Sequence, residues 1–335
     1  GDCQMNSETE TKRRFSVASS PHIASPDSTP NLMLDVLIAL LPAWLVAVYF
    51  FGFRVVSLTA VTIAAAVGAE YLYRRLTKQH QTIGDLSAAV TGLLLTMCLP
   101  VETPYWIAAL GAVFAIVVVK QLFGGLGKNF MNPALAGRVF LFSFPAVMGK
   151  YIAPGRTFWA PIFGGGVETV SSATPMSYLH QGLLPEGISL RQLLVGQQAG
   201  CLGEVASLML LFGGAYLVLR KVISPRIPLC YLGTVAVLTF LFPMGGIGRM
   251  DWMLYNIFMA TDYVTSPVTP AGRTVYAIGC GALTVFLRYF GTYPEGVSFA
   301  ILVMNTLVWS LDKAFPPHRF GTPWFQKKEK KEASK

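Results

Sequence analysis

Apolar runs follow one another along most of this chain, separated by short polar segments that often contain glycine or proline. Because a helix needs roughly 20 apolar residues to cross a membrane, the pattern predicts about ten helical crossings. The predicted segments are Leu32–Phe51, Val55–Tyr73, Ala88–Leu99, Tyr105–Phe123, Pro133–Met148, Val205–Leu219, Pro228–Phe242, Trp252–Ala260, Val275–Phe290 and Val297–Leu311. The third and eighth are too short to span alone, which indicates broken or half helices.

Two stretches share one pattern. Leu95–Phe123 contains a proline-bearing break and then an apolar helix that ends in Lys120, and Phe258–Phe290 has a similar break and a helix that ends in Arg288. Five crossings per half is an odd number, so the two halves must be inverted relative to one another. We therefore expect an all-α integral membrane protein with two inverted five-helix repeats, residues 31–149 and 205–312, joined by a long connection at 150–204.

Composition supports a membrane protein and disfavours a soluble one. The chain is 53% hydrophobic and only 13% charged, whereas roughly a quarter of the residues in a soluble domain are charged. Its formal net charge of +9 comes from basic residues between and beyond the apolar runs, which suits membrane topology better than nucleic-acid binding. An even number of crossings and the positive-inside rule place both termini in the cytoplasm and the connection 150–204 outside.

The two ends of the chain are expected to lie outside the membrane. Residues 1–30 lack an apolar core followed by a small-residue cleavage site, so we expect a cytoplasmic lead-in rather than a cleavable signal peptide. Residues 313–335 form a basic tail. The five cysteines and four histidines are scattered and include no CxxC pair, so no metal or haem site is expected.

Polar residues near the ends of the apolar segments divide into two groups. For most of them, including Glu70 and Lys120, capping or snorkelling is the expected role. The second group flanks the helix breaks, where an anion or a cation could bind free backbone groups. It consists of Asn132, Arg138, Thr261, Asp262 and Glu295. The run Gly124–Asn129 is compatible with either a phosphate cradle or a tight turn, since it lacks the P-loop spacing.

A run of small hydroxyl residues, Ser171–Thr174 with the sequence SSAT, lies in the long connection beyond Gly164–Gly166. Such a run is ordinarily a surface loop, although ordered loops often carry function. Thr174 is the candidate for a covalently modified residue.

Three stretches resemble the NqrB/RnfD family, which comprises membrane subunits of Rnf ferredoxin:NAD oxidoreductases and of sodium-pumping NADH:quinone reductases. They are LFGGLGKNFMNPALAGRVFLF (Leu122–Phe142), FMATDYVTSP (Phe258–Pro267) and YPEGVSFAILVMN (Tyr293–Asn305). The stretch Ser20–Ala43 and the modest chain length are more similar to the Rnf members. The resemblance extends over nearly all of Phe15–Phe320. Tyr263 departs from the family, in which proline commonly follows the aspartate at the position of Asp262.

The resemblance implies a covalent flavin. In the family, a threonine in a motif of the S-G-A-T type carries FMN through a phosphoester bond that a flavin transferase makes. The matching residues are Ser171, Ser172, Ala173 and Thr174, with Ser172 at the usual glycine position and therefore an alternative acceptor. A second, noncovalent flavin such as riboflavin is also implied. Asn132 and Arg138 are further candidates for cofactor binding.

The resemblance also implies a function in a complex. Electrons would pass from ferredoxin towards NAD through the other Rnf subunits A, B, C, E and G and through FMN, coupled to translocation of sodium or protons. Thr261, Asp262 and Glu295 are candidates for the ion path. Two alternatives remain open, a channel or transporter for a small solute and an assembly subunit, and neither would carry a covalent chromophore.

Overall fold

The computed structural model describes residues 28–148, 151–152, 200–204, 207–242, 269–291 and 296–315. The regular structure in these ranges is helical, so the all-α prediction is confirmed for them. The main helices are α1 Thr29–Phe51, α2 Phe53–Leu76, α3 Ser87–Met97, α4 Tyr105–Phe114, α5 Pro133–Leu141, α6 Ser207–Leu219, α7 Arg226–Leu241, α8 Pro270–Phe290 and α9 Val297–Ala314. A π-helical stretch, Ala115–Gln121, continues α4. A short 3₁₀-helix occupies Ile83–Asp85, and a four-residue α-helix occupies Pro145–Met148.

Three of the described helices, α1, α2 and α9, are long and apolar enough to cross a membrane. Shorter apolar helices accompany them: α3, α4 with its π-helical continuation, α6 and α7. The prediction that the third segment is too short to span is confirmed, since α3 covers only Ser87–Met97. The eighth segment, Trp252–Ala260, lies outside the described residues.

The helices pack around two main apolar clusters. The first joins α1–α5 and contains Phe51, Leu58 and Leu95 among its fully buried side chains. The second joins α7, α8 and α9 around Tyr276 and also includes Leu135 of α5. Helix α5 therefore contributes to both clusters and connects the two halves of the described structure.

The predicted segment Pro133–Met148 is wrong as a single helix. Helix α5 ends at Leu141, and two turn bonds follow, from the N–H of Ser143 to the carbonyl of Phe140 and from the N–H of Phe144 to the carbonyl of Leu141. Pro145 explains the break, because a proline disfavours helical geometry in the preceding residue and cannot donate a backbone hydrogen bond.

Helices α1 and α6 are joined by polar side-chain contacts and by a close approach of their backbones at one glycine. Asp35 of α1 accepts hydrogen bonds from the Tyr216 hydroxyl and from Nη2 of Arg220, both at 3.0 Å. Gly213 packs directly against the α1 backbone, since a Cβ atom added there would lie 2.2 Å from the carbonyl oxygen of Ala39. The absence of a side chain at Gly213 is therefore required for this contact.

We expect Gly213→Ala to destabilise the protein by about 1–3 kcal/mol, because the added methyl group overpacks an interface with a rigid backbone. Thermal unfolding in detergent, monitored by size-exclusion chromatography, would measure the loss of stability. Gly233→Ala is the matched control, since a Cβ atom at Gly233 of α7 meets nothing within 4 Å. Equal midpoints for the two variants would contradict the close packing of α1 and α6.

Candidate functional site

A buried ion pair connects α2 with the π-helical stretch that follows α4. Nζ of Lys120 lies 2.8 Å from Oε2 of Glu70, and the two residues are 2% and 1% exposed. The same ammonium donates to Oγ of Ser87 at 2.7 Å, and Oγ1 of Thr82 donates to Oε1 of Glu70 at 2.6 Å. Both charges are thus shielded from water and compensated by protein groups, as buried charges require.

Arg74 adds a second cation one helical turn beyond Glu70. Its Nε lies 3.8 Å from Oε1 of Glu70 and donates to Oε1 of Gln121 at 3.1 Å, and its Nη1 donates to the carbonyl of His80 at 2.7 Å. Two cationic groups therefore face a single carboxylate. Nε2 of Gln121 is buried and meets no hydrogen-bond partner among the described residues.

The π-helical backbone explains how two consecutive residues can both contact α2. Its wider turn shows in the hydrogen bond from the N–H of Leu122 to the carbonyl of Val117, five residues earlier, at 3.1 Å. Lys120 and Gln121 consequently reach Glu70 and Arg74, which lie on one face of α2 at i and i+4. Short π-helical segments are rare and frequently occur at functional sites.

The glycine run after the π-helical stretch forms a tight turn. Gly124, Gly125 and Gly127 have φ values of +101°, +91° and +82°, which favour glycine. The N–H groups of Gly124 and Gly125 donate to the carbonyls of Gln121 and Lys120. Because these N–H groups already close the end of a helix, the structure favours the turn over the phosphate cradle.

Asn132 and Arg138, the two described candidates for cofactor binding, both have structural partners. Oδ1 of Asn132 accepts from the N–H of Ala134 at 3.0 Å and so caps α5. The buried guanidinium of Arg138 lies 5.7 Å from the centre of the Phe142 ring, and its Nη2 donates to Sγ of Cys201 at 3.2 Å. A cofactor role for either residue stays a prediction.

The segment Gly200–Glu204, at the C-terminal end of the long connection, pairs with the end of α3. The N–H groups of Leu202 and Gly203 donate to the carbonyls of Leu99 and Met97 at 3.1 and 2.7 Å. These contacts satisfy carbonyl groups that a helix end leaves without helical partners. The returning chain is thus bonded to the short helix α3.

The remaining predicted site residues lie outside the described residues. They are Ser171, Ser172, Ala173, Thr174, Thr261, Asp262 and Glu295. The expectation that Glu70 and Lys120 only cap or snorkel was wrong, because the two side chains are buried and paired. The two residues are 50 positions apart in the sequence, so no local pattern indicated that they pair. Charges within apolar segments do, however, indicate partners inside the protein.

The comparison with known proteins covers almost the whole chain. The model of the NQR2, RnfD, RnfE family matches residues 16–321. The chain belongs to this family. The resemblance inferred from the sequence motifs is thereby confirmed, and as a member of the NQR2, RnfD, RnfE family the chain is a multi-pass membrane protein.

Several curated relatives in the family are D subunits of ion-translocating complexes. The D subunit of the Na(+)-translocating ferredoxin:NAD(+) oxidoreductase complex of Acetobacterium woodii is 42% identical over 94% of this chain and 98% of the relative. The D subunit of the proton-translocating ferredoxin:NAD(+) oxidoreductase complex of Clostridium ljungdahlii is 37% identical over 93% of this chain and 97% of the relative. The D subunit of the ion-translocating oxidoreductase complex of Stutzerimonas stutzeri is 37% identical over 88% and 92%.

The buried ion pair should show strong coupling in a double-mutant cycle. We expect Lys120→Met and Glu70→Gln each to destabilise the protein, Lys120→Met by about 3–5 kcal/mol because it leaves a buried charge without its partner. The double variant should lose less stability than the two single losses together. Thermal unfolding in detergent would measure all three.

Lys128→Met is the matched control for this cycle, because Lys128 is an exposed lysine in the adjacent turn. It should change the unfolding midpoint little. Additive effects of Glu70→Gln and Lys120→Met would show that the pair contributes no mutual stabilisation.

Proposed function

We propose that this chain acts as the D subunit of an Rnf-type complex, in which electron flow between ferredoxin and NAD drives translocation of sodium or protons. The observation that carries the proposal is the match to D subunits over nearly the full length of both chains. Subunits A, B, C, E and G would be its partners, and ferredoxin and NAD would react with the complex rather than with this chain alone.

Thr174 is the proposed attachment point of FMN, through a phosphoester bond to its hydroxyl. Ser171, Ser172 and Ala173 are small enough to give a flavin transferase access to that hydroxyl, and Ser172 is the alternative acceptor. When bound, FMN would supply one-electron redox chemistry between carriers. Thr174 would serve as an anchor, without acting as an acid or a base. A second, noncovalent flavin such as riboflavin belongs to the same proposal, with no residues assigned to it.

The proposed architecture has about ten crossings in two inverted five-helix repeats, with both termini in the cytoplasm. The excess of basic residues in the segments assigned to the cytoplasm supports this orientation. The short helix α3 supports the repeat, because broken helices are typical of such architectures. In this arrangement the flavin-bearing connection faces the outside.

Ion coupling requires charges within the membrane domain that respond to the redox state. Thr261, Asp262 and Glu295 are proposed for the ion path, since each flanks a predicted helix break. The buried Glu70–Lys120–Arg74 network is a further set of charges whose balance can favour one membrane conformation over another. Coupling then means that a change in flavin charge shifts the populations of these conformations.

A small-solute channel or transporter is the alternative, and an assembly subunit is a second one. Either could have broken helices and an inverted repeat. Both would lack a covalently bound chromophore, which makes the flavin the distinguishing observation.

Ultraviolet-excited fluorescence after denaturing electrophoresis tests the flavin site. We expect the native subunit, produced in cells that contain the flavin transferase, to give a fluorescent band and Thr174→Val to give none, because valine has no hydroxyl to esterify. Ser172→Ala is the matched control and should stay fluorescent. A dark native band would favour the transporter or the assembly subunit, and a bright Thr174→Val band would move the attachment to another residue.

The ion-path proposal is tested by Asp262→Asn and Glu295→Gln in separate variants of the whole complex. We expect each to reduce ion uptake per electron transferred, because the amide removes a charge that a cation would contact. Uptake into inverted vesicles with ferredoxin as electron donor would measure the ratio. Asp312→Asn, near the end of α9, is the control, and unchanged ratios in both test variants would refute the assignment.

A further inference from the structure

We propose that Arg138 and Cys201 form a positioning anchor for the flavin-bearing connection, holding its returning end against the helical core so that the flavin stays aligned with its redox partners. This inference rests on the proposed FMN at Thr174. The inference concerns the contact between these two side chains and is separate from the cofactor role predicted for Arg138.

The first step is the rigidity of the returning end. Gly200, Cys201, Leu202 and Gly203 are buried. The carboxylate of Glu204 accepts from the N–H of Cys201 at 3.0 Å, and the N–H of Glu204 donates to the carbonyl of Cys201 at 3.0 Å. The segment thus closes on itself as a tight turn, and Glu204 leads towards α6.

The second step is the lack of space around this turn. A Cβ atom at Gly200 would lie 2.5 Å from Oε2 of Glu204, and one at Gly203 would lie 3.1 Å from the carbonyl oxygen of Met97. Together with the two backbone hydrogen bonds to the end of α3, the close approach of Gly203 to Met97 packs the turn against α3.

The third step is the reach of Arg138 from α5. Cys201 is 1% exposed and Arg138 is 6% exposed, so their contact is shielded from water. A thiol is a weak acceptor, but a charged donor in a buried setting strengthens the hydrogen bond. The ring of Phe142, which directly follows α5, lies near the guanidinium and helps to hold it in place.

The fourth step concerns the outgoing end of the connection. Met148 and Ile152 pack in the same apolar cluster as Leu202. The described residues on both sides of the connection therefore belong to one core region, and Thr174 lies between them in the sequence. A shift of the Cys201 turn would therefore move the C-terminal end of the connection relative to its N-terminal end.

The test uses the whole complex with Cys201→Val, which removes the acceptor, and Cys201→Ser, whose hydroxyl can accept from Arg138. We expect both variants to keep the fluorescent flavin band. Ferredoxin:NAD activity per covalent flavin should fall about tenfold in Cys201→Val, because small misplacements of reacting groups are costly. Cys201→Ser should retain most of the native activity. Cys230→Val, the same change in α7, is the control and should leave activity unchanged.

The outcomes separate this inference from the flavin proposal. A dark native band would refute the covalent flavin itself. If Cys201→Val gives a fluorescent band and the same activity per flavin as Cys230→Val, only the anchor is refuted. The anchor is also refuted if Cys201→Ser loses as much activity per flavin as Cys201→Val. If Cys201→Val does not assemble, Cys201→Ala removes the acceptor without added volume, and native activity per flavin in that variant would likewise overturn the anchor.

Discussion

Charges buried away from water must be neutralised by nearby protein groups, and the helices around α2 depend on this requirement. Glu70 and Lys120 form a 2.8 Å ion pair at almost complete burial, and the hydroxyls of Ser87 and Thr82 complete their surroundings. To reach this pair, the chain after α4 adopts a π-helical turn, which in turn ends in the glycine run. The position of α3 depends on it as well, since Ser87 begins that helix. One buried ion pair thus links α2, the start of α3 and the π-helical stretch after α4.

Broken helices then provide the places where the long connection joins the core. The short helix α3 leaves carbonyl groups that bond to Leu202 and Gly203, and α5 stops before Pro145. Arg54 of α2 bonds to the segment that follows α3, because its guanidinium donates to the carbonyls of Val101, Glu102 and Thr103. The polar groups that these breaks release are satisfied by other parts of the chain. The breaks therefore supply polar groups through which the described ends of the connection bond to the helical core.

Periodicity and length predicted much of the fold from the sequence, and the predicted starts and ends of α1, α2 and α9 lie within a few residues of the observed ones. Local chemistry misled the prediction where a break was caused by a single proline, as at Pro145. It also misled the interpretation of Glu70 and Lys120, which look like ordinary residues near helix ends. Their partners lie far away in the sequence, so no local pattern could assign them. Family resemblance pointed to Thr174, whereas the residues alone indicated only a surface loop.

The amino-acid sequence by itself determined that this chain is a helical membrane protein, because long apolar runs with few charges have no other stable arrangement in water or lipid. Its motifs also determined the family. The tertiary structure alone decided which partners the polar and charged residues have. Asn132 caps a helix, Glu70 pairs with Lys120, and Arg138 contacts Cys201. The physical reason is that the free energy of a buried polar group depends on its neighbours in space, and those neighbours come from distant parts of the chain.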